Sequence, residues 1–206
     1  MSTPDDRHSR RRLATRQRIS NIATALFAEK GFDAVTIDAI AEAADVGRMT
    51  VFNHFARKED LFFDREPALR QMLRETLAGY TSPHPLEALR QLAHRLIAEE
   101  APFLRFSSQT LEFVRTLAAS ETLKSRARAI RDEMAEDIRL GLIDALDRAP
   151  TDPAPALAAS LIVAGCATAY SEALKAFARD KNSKSAQLLF LSLVDTSTAA
   201  ALYTLR

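Results

Sequence analysis

The chain has 206 residues, 47% of them apolar and 27% charged, with 28 Lys and Arg against 27 Asp and Glu. That balance excludes wholesale disorder and a uniformly basic nucleic-acid coat. Five Gly and eight Pro are too few for the turns of a sandwich or barrel, and one Cys excludes an internal disulfide or a multi-cysteine zinc site. An all-α protein of a reducing, cytoplasmic compartment is expected.

Charge is uneven at the front. Residues 1–12 read as a flexible basic arm, and six Arg with no acid lie between Arg7 and Arg18. Such a run marks a solvated tail or the electrostatic footprint of a nucleic-acid reader. No apolar targeting core follows it, because Asn21, Thr24 and Glu29 interrupt the next stretch.

Ile19, Ile22, Ala23, Leu26 and Phe27 then form one helical stripe. Gly31 suits a left-handed terminus, and Phe32 can fold back on the last turn. Thr36 is placed as an N-cap, with Asp38 in the first turn of a short second helix where it complements the dipole. Ile37, Ile40, Ala41 and Ala44 supply its buried side. Asp45-Val46-Gly47 breaks it, and a third helix starts at Arg48, carrying Val51, Phe52 and Phe55 towards the core.

Two short helices joined by a tight turn suggest a helix-turn-helix, about residues 37–56. The motif needs a small residue at the crossing, a left-handed residue in the turn and an apolar residue facing back. Ala41, Asp45 and Val51 meet those needs. An ordinary helical hairpin would share the stripes, but it leaves Arg48-Met49-Thr50 and Asn53-His54 without a reason.

Helical stripes continue from about Lys58 to Tyr80, with Pro67 a kink, and from Leu86 to about Glu100. Thr81–Pro85 is a loop between them. A shorter helix begins near Ser108, and a long charged one covers Thr122 to Arg148. After a loop at 149–153, Asp152 caps a helix running to about Asp180, and Ser185–Tyr203 closes the chain. Residues 153–171 carry no charge over 19 positions, enough to cross a bilayer. The Ala, Ser and Thr content favours a buried helix over a membrane span. Pairing of the last two helices across a two-fold axis, in a homodimer, would cover them.

Nothing points to catalysis. None of the four His pairs with Cys or an acid at metal-ligand spacing, Glu99 and Glu100 diverge on a helix, and Cys166 has no basic neighbour within a turn. No catalytic residue, metal site or cofactor is expected. His94, Phe103, Phe106, Phe113, Cys166 and Tyr170 are the candidate lining of a small-molecule pocket, suited to an apolar or aromatic effector.

Ile19, Ala23, Leu26-Phe27, Gly31-Phe32, Thr36, Ile40-Ala41, Ala44 and Val46, followed by Thr50–Phe55 and Lys58-Glu59-Asp60-Leu61, resemble the DNA-binding domain of the tetracycline-repressor (TetR) family. The resemblance covers roughly residues 13–62. It implies an N-terminal three-helix helix-turn-helix domain there and a helical effector-binding and dimerisation domain over 63–206. It also implies a ligand-released repressor, a homodimer on double-stranded DNA with a palindromic operator. Carried over by position, Thr36 and Lys58 anchor phosphates, while Arg48, Met49, Thr50, Asn53 and His54 face the groove. His54 also fits a role propping the turn before Phe55. Arg16 joins the DNA-binding set. Phe52 stands where the family commonly has a hydroxylated aromatic bonded to a phosphate, and it lacks the hydroxyl. The alternative is a helical small-molecule binding or interaction protein that no longer reads DNA.

Overall fold

The computed structural model describes residues 4–206, with side chains from Ser9 onward. Ten α-helices and one 3₁₀ turn, and no strand, are found among the described residues. They are α1 (Pro4–Lys30), α2 (Ile37–Ala43), α3 (Arg48–His54), α4 (Lys58–Phe62) and α5 (Glu66–Ala78). After α6 (Pro85–Ala98) and a 3₁₀ turn at Pro102–Leu104 come α7 (Ser108–Ala119), α8 (Glu121–Leu146), α9 (Pro153–Asp180) and α10 (Ser183–Thr204).

Two expectations about elements are corrected. Residues 4–12 of the basic arm continue α1 as helix. No Gly or Pro interrupts positions 5–30, and Arg, Ala and Leu there are strong helix formers. The first three residues and the side chain of Arg7 lie outside the described residues. The single kinked helix over 58–80 is instead two helices, α4 and α5, because Pro67 falls at the second position of α5. There it needs no N–H, whereas a continuous helix would have lost a bond at Pro67.

The chain falls into two compact units, one reaching Arg65 and adding Glu112–Arg126, the other holding Glu66–Leu111 and Ala127–Arg206. The first unit ends three residues beyond the expected boundary at 62/63 and takes Glu112–Arg126 from the expected second domain. The first core gathers Ile19, Ala23, Phe27, Phe32, Val35, Ile40, Val51, Phe55, Leu61 and Phe62 with Leu123. Phe113 of α7 stacks on Phe62 with ring centroids 4.3 Å apart. Ser120 bonds Asp33 at 2.8 Å and caps the start of α8 through Leu123 N–H.

In the second unit, α9 and α10 pack along their lengths and α6 lies against α10. Leu77, Leu86, Leu89, Ile138, Leu142, Ala158, Ala159 and Ile162 form its main core. Arg70 bridges α5 to α8 through Asp137 at 2.6 Å and Glu133. Both α9 and α10 are long and apolar enough to cross a membrane by length and composition.

Candidate nucleic-acid interface

The turn between α2 and α3 obeys the steric demands of a helix-turn-helix. Ala41 and Val51 are buried and Asp45 takes φ 49°, the left-handed conformation. Val46 N–H donates to the Ala41 carbonyl at 3.0 Å, closing the turn. Upstream, Gly31 has φ 80°, and Phe32 packs on Phe27 at 5.0 Å, as the terminal Gly-Phe pair predicts. Thr36 Oγ1 accepts from Ala39 N–H at 3.1 Å, so α2 is capped by a side chain, whereas Gly47 leaves α3 without one.

Burial of Val51 and Phe55 turns the opposite side of α3 outward. Arg48, Met49, Phe52 and Asn53 are exposed there, while Thr50 and His54 are half-buried. Phe52 therefore departs from the expectation that it enters the core. With Val51 and Phe55 facing inward, helical geometry carries position 52 away from them. The Arg48 guanidinium lies 5.6 Å from the Phe52 ring and contacts Asp38 at 3.0 Å.

Two residues of the expected DNA-binding set also bond the protein itself. Arg16 donates to the carbonyls of His54 and Asp64 at 2.9 and 3.3 Å and lies 4.1 Å over the Phe55 ring. Lys58 donates to the carbonyls of Phe32 and Val35, both at 2.9 Å, and sits over the Phe32 ring. It clamps the α1–α2 connection with two of its three ammonium donors. Ser9, Arg12, Leu13, Arg16 and His54 line an open groove of about 440 Å³ between α1 and the end of α3. Burial, then Arg12 and Arg16, hold the His54 pKa below its ordinary value. Neutral at physiological pH, His54 presents one donor and one acceptor. Sequence reading missed the pairing of Asp38 with Arg48, and it missed Asp64 and Phe190, whose partners lie far along the chain and leave no local pattern.

Residues 19–64 match the family described as bacterial regulatory proteins, tetR family. That segment is of the tetR-family type. The chain is 35% identical over 82 residues to the "Probable acrEF/envCD operon repressor" of Escherichia coli K12, a match covering 38% of this chain and 37% of that protein. It is 28% identical over 131 residues to the HTH-type transcriptional regulator UidR of the same organism, covering 61% of this chain and 65% of that one. The matched region thus spans well under half of one relative and just under two thirds of the other. The fold is similar to that of SmeT of Stenotrophomonas maltophilia, solved with triclosan, at TM-score 0.59 and 20% identity over 91% of each chain.

Beyond the segment that matches the tetR family, the candidate effector residues do not form one set. Phe106 is buried with Tyr170 at 5.7 Å and with Phe190 of α10 at 6.1 Å. Burial pushes the Tyr170 hydroxyl up to about 12 and the Cys166 thiol up to about 11, so both stay protonated. Cys166 packs against the Leu77–Leu142 core, and Phe103 is half-exposed in the 3₁₀ turn. His94 is held by Asp195 at 2.7 Å beside Arg90. Phe113 is corrected outright: it belongs to the first unit, stacked on Phe62, because its aromatic neighbours there fill its side of α7.

Proposed function

We propose that the chain is a transcriptional repressor that binds a palindromic operator as a homodimer, in the cytoplasm, and is released by a small apolar or aromatic effector. One observation carries the DNA reading: α3 turns Arg48, Met49 and Asn53 outward while Val51 and Phe55 anchor its other side. In this reading Arg48, Met49, Thr50, Asn53 and His54 meet base edges and Thr36 meets a phosphate through its hydroxyl and backbone N–H. Phe52 supplies an apolar contact of the kind that suits a thymine methyl. Arg16 and Lys58 hold the helices in place behind them.

Dimerisation is supported by the outer faces of α9 and α10. Leu157, Ser160, Ala164 and Thr168 on one, and Leu188, Leu189, Ser192, Thr196 and Tyr203 on the other, are exposed and uncharged. A second copy covers such a face and sets two recognition helices about 34–36 Å apart for successive major grooves. The Phe106–Tyr170–Phe190 cluster is the aromatic wall on which an effector would bind. Its differential affinity for two helix spacings would set how far DNA is released.

Selection of binding sites from random duplexes by the full chain tests this reading. Two inverted half-sites, spaced by one helical turn, are expected. A well-folded dimer that enriches no sequence would overturn the DNA reading and favour a protein that binds only small molecules or partners.

A further inference from the structure

At the first turn of α3 the only acid paired with Arg48, among the described residues, is Asp38 in the first turn of α2. Arg48 Nη1 lies 3.1 and 3.0 Å from the two carboxylate oxygens, and the side chains are 59% and 66% exposed. An ion pair so exposed adds little to stability. The dipole of α2 favours an acid at this place, yet it does not aim both oxygens at one guanidinium nitrogen. What the pair does achieve is orientation. A long, rotamer-rich side chain is tethered at the entrance of the proposed recognition surface, with the Phe52 ring 5.6 Å from its guanidinium carbon.

The tether uses Nη1 and leaves Nε and Nη2 without a protein acceptor among the described residues. Those two nitrogens are parallel donors at the spacing of guanine O6 and N7. In the major groove only guanine offers two acceptors on one edge, whereas adenine and thymine each offer one and cytosine a donor. An untethered Arg can turn to a phosphate and bind any sequence. Asp38 also brings a negative charge close to a polyanion, which weakens binding to every duplex. The acid therefore exchanges general affinity for choice.

We infer that Asp38 is the positioning residue for Arg48 and that the pair reads one guanine in each half-site. This rests on the DNA reading above and goes beyond it by naming a base and a residue that need not touch DNA.

The test compares selected sites and affinities for the full-length wild type, Asp38→Ala, Asp38→Asn and Arg48→Ala. The wild type should select one G·C pair per half-site, and replacing that pair should weaken binding roughly tenfold or more. Arg48→Ala should erase the preference at that pair alone. Both Asp38 variants should keep the melting temperature and bind random duplex more tightly, while discrimination at the same pair falls to about threefold or less. Combining Asp38→Ala with Arg48→Ala should lose no more discrimination than Arg48→Ala does. A selected site whose guanine preference survives Asp38→Ala and Asp38→Asn overturns the inference alone, as does a site without that guanine. A wild type that selects nothing overturns the DNA reading and this inference together.

Discussion

The guanidinium of Arg16 donates from Nη1 to the carbonyl of His54 at 2.9 Å, the last residue of α3, the proposed recognition helix. A helix ends with carbonyls that have no partner inside it, and a cation there also complements the dipole. The same guanidinium reaches the Asp64 carbonyl after α4 and covers the Phe55 ring, so one side chain of α1 ties the end of α3 to the segment after α4.

Arg16→Ala should destabilise the protein by about 1.5–3 kcal/mol, the range for a hydrogen bond to a charged group. Amide exchange in the last turn of α3 should quicken, and affinity for all duplexes should fall together. Arg16→Lys should recover little, since an ammonium cannot span both carbonyls while lying flat on Phe55. Unchanged melting with lost sequence choice would instead make Arg16 a base contact.

Gly165 and Leu188 separate the inside of the α9–α10 pair from its outer face. A Cβ at Gly165 would overlap Ser197 of α10, so Gly165→Ala should strain the α9–α10 packing and lower the melting temperature. Leu188 is 62% exposed on α10. Leu188→Glu should leave secondary structure intact and shift sedimentation towards monomer, because it places charge in an apolar contact between copies. A dimer undiminished by that change would move the interface to another surface.

Local chemistry made the helix-turn-helix readable. Gly31 and Asp45 each announce a left-handed backbone that few residues accept, Thr36 announces a side-chain cap, and the structure places each as predicted. The partners of Arg16 and Lys58 were not readable, because carbonyls 38 and 26 residues away carry no signature in a side-chain sequence. Phe113 misled for a related reason. An aromatic near two others in sequence suggested a common pocket, but it lies with the first unit while Phe106 lies with Tyr170. The break between α4 and α5 was present in Pro67, whose two uses, kink and first turn, look alike until the hydrogen bonds are counted.

His84 gives the fold a dependence on pH. Its Nδ1 accepts from Leu86 N–H at 3.2 Å and caps α6, a role open only to an unprotonated nitrogen. Burial, and then the charge of Arg148, hold its pKa below the ordinary value. The folded chain thus binds this proton less tightly than the unfolded chain. Stability is full above the unfolded value, near about pH 6.5, and falls as pH drops through the window below it. His84→Ser should keep a cap and flatten that part of the stability profile, while His84→Ala should cost about 1 kcal/mol even at pH 8. A profile equally steep with Ser at this position would locate the titration elsewhere.

The N-terminal arginines offer the sharpest electrostatic test. Helix α1 begins at Pro4, so Arg10, Arg11 and Arg12 are exposed on a helical extension, and Arg12 borders the groove beside His54. A helix holds these charges at fixed bearings, and Arg12 shares with Arg16, one turn on, the side that meets the end of α3. Each phosphate neutralised releases counterions and adds roughly 0.9 to the slope of log affinity against log salt. Deleting residues 2–12 removes four Arg and two Asp from each chain. If most of those Arg meet phosphates, the slope should flatten by several units per dimer, about 0.9 for each phosphate no longer neutralised. Arg12→Ala alone should remove about two such units from a dimer, one phosphate in each half. The selected sequence should persist, except where an arginine enters a narrow A·T-rich minor groove. Titrations at several salt concentrations, with and without residues 2–12, decide between the two fates of this charge. An unaltered slope would mean that the extension keeps its arginines in water, and positive charge at the front of the chain would then serve solubility and not DNA.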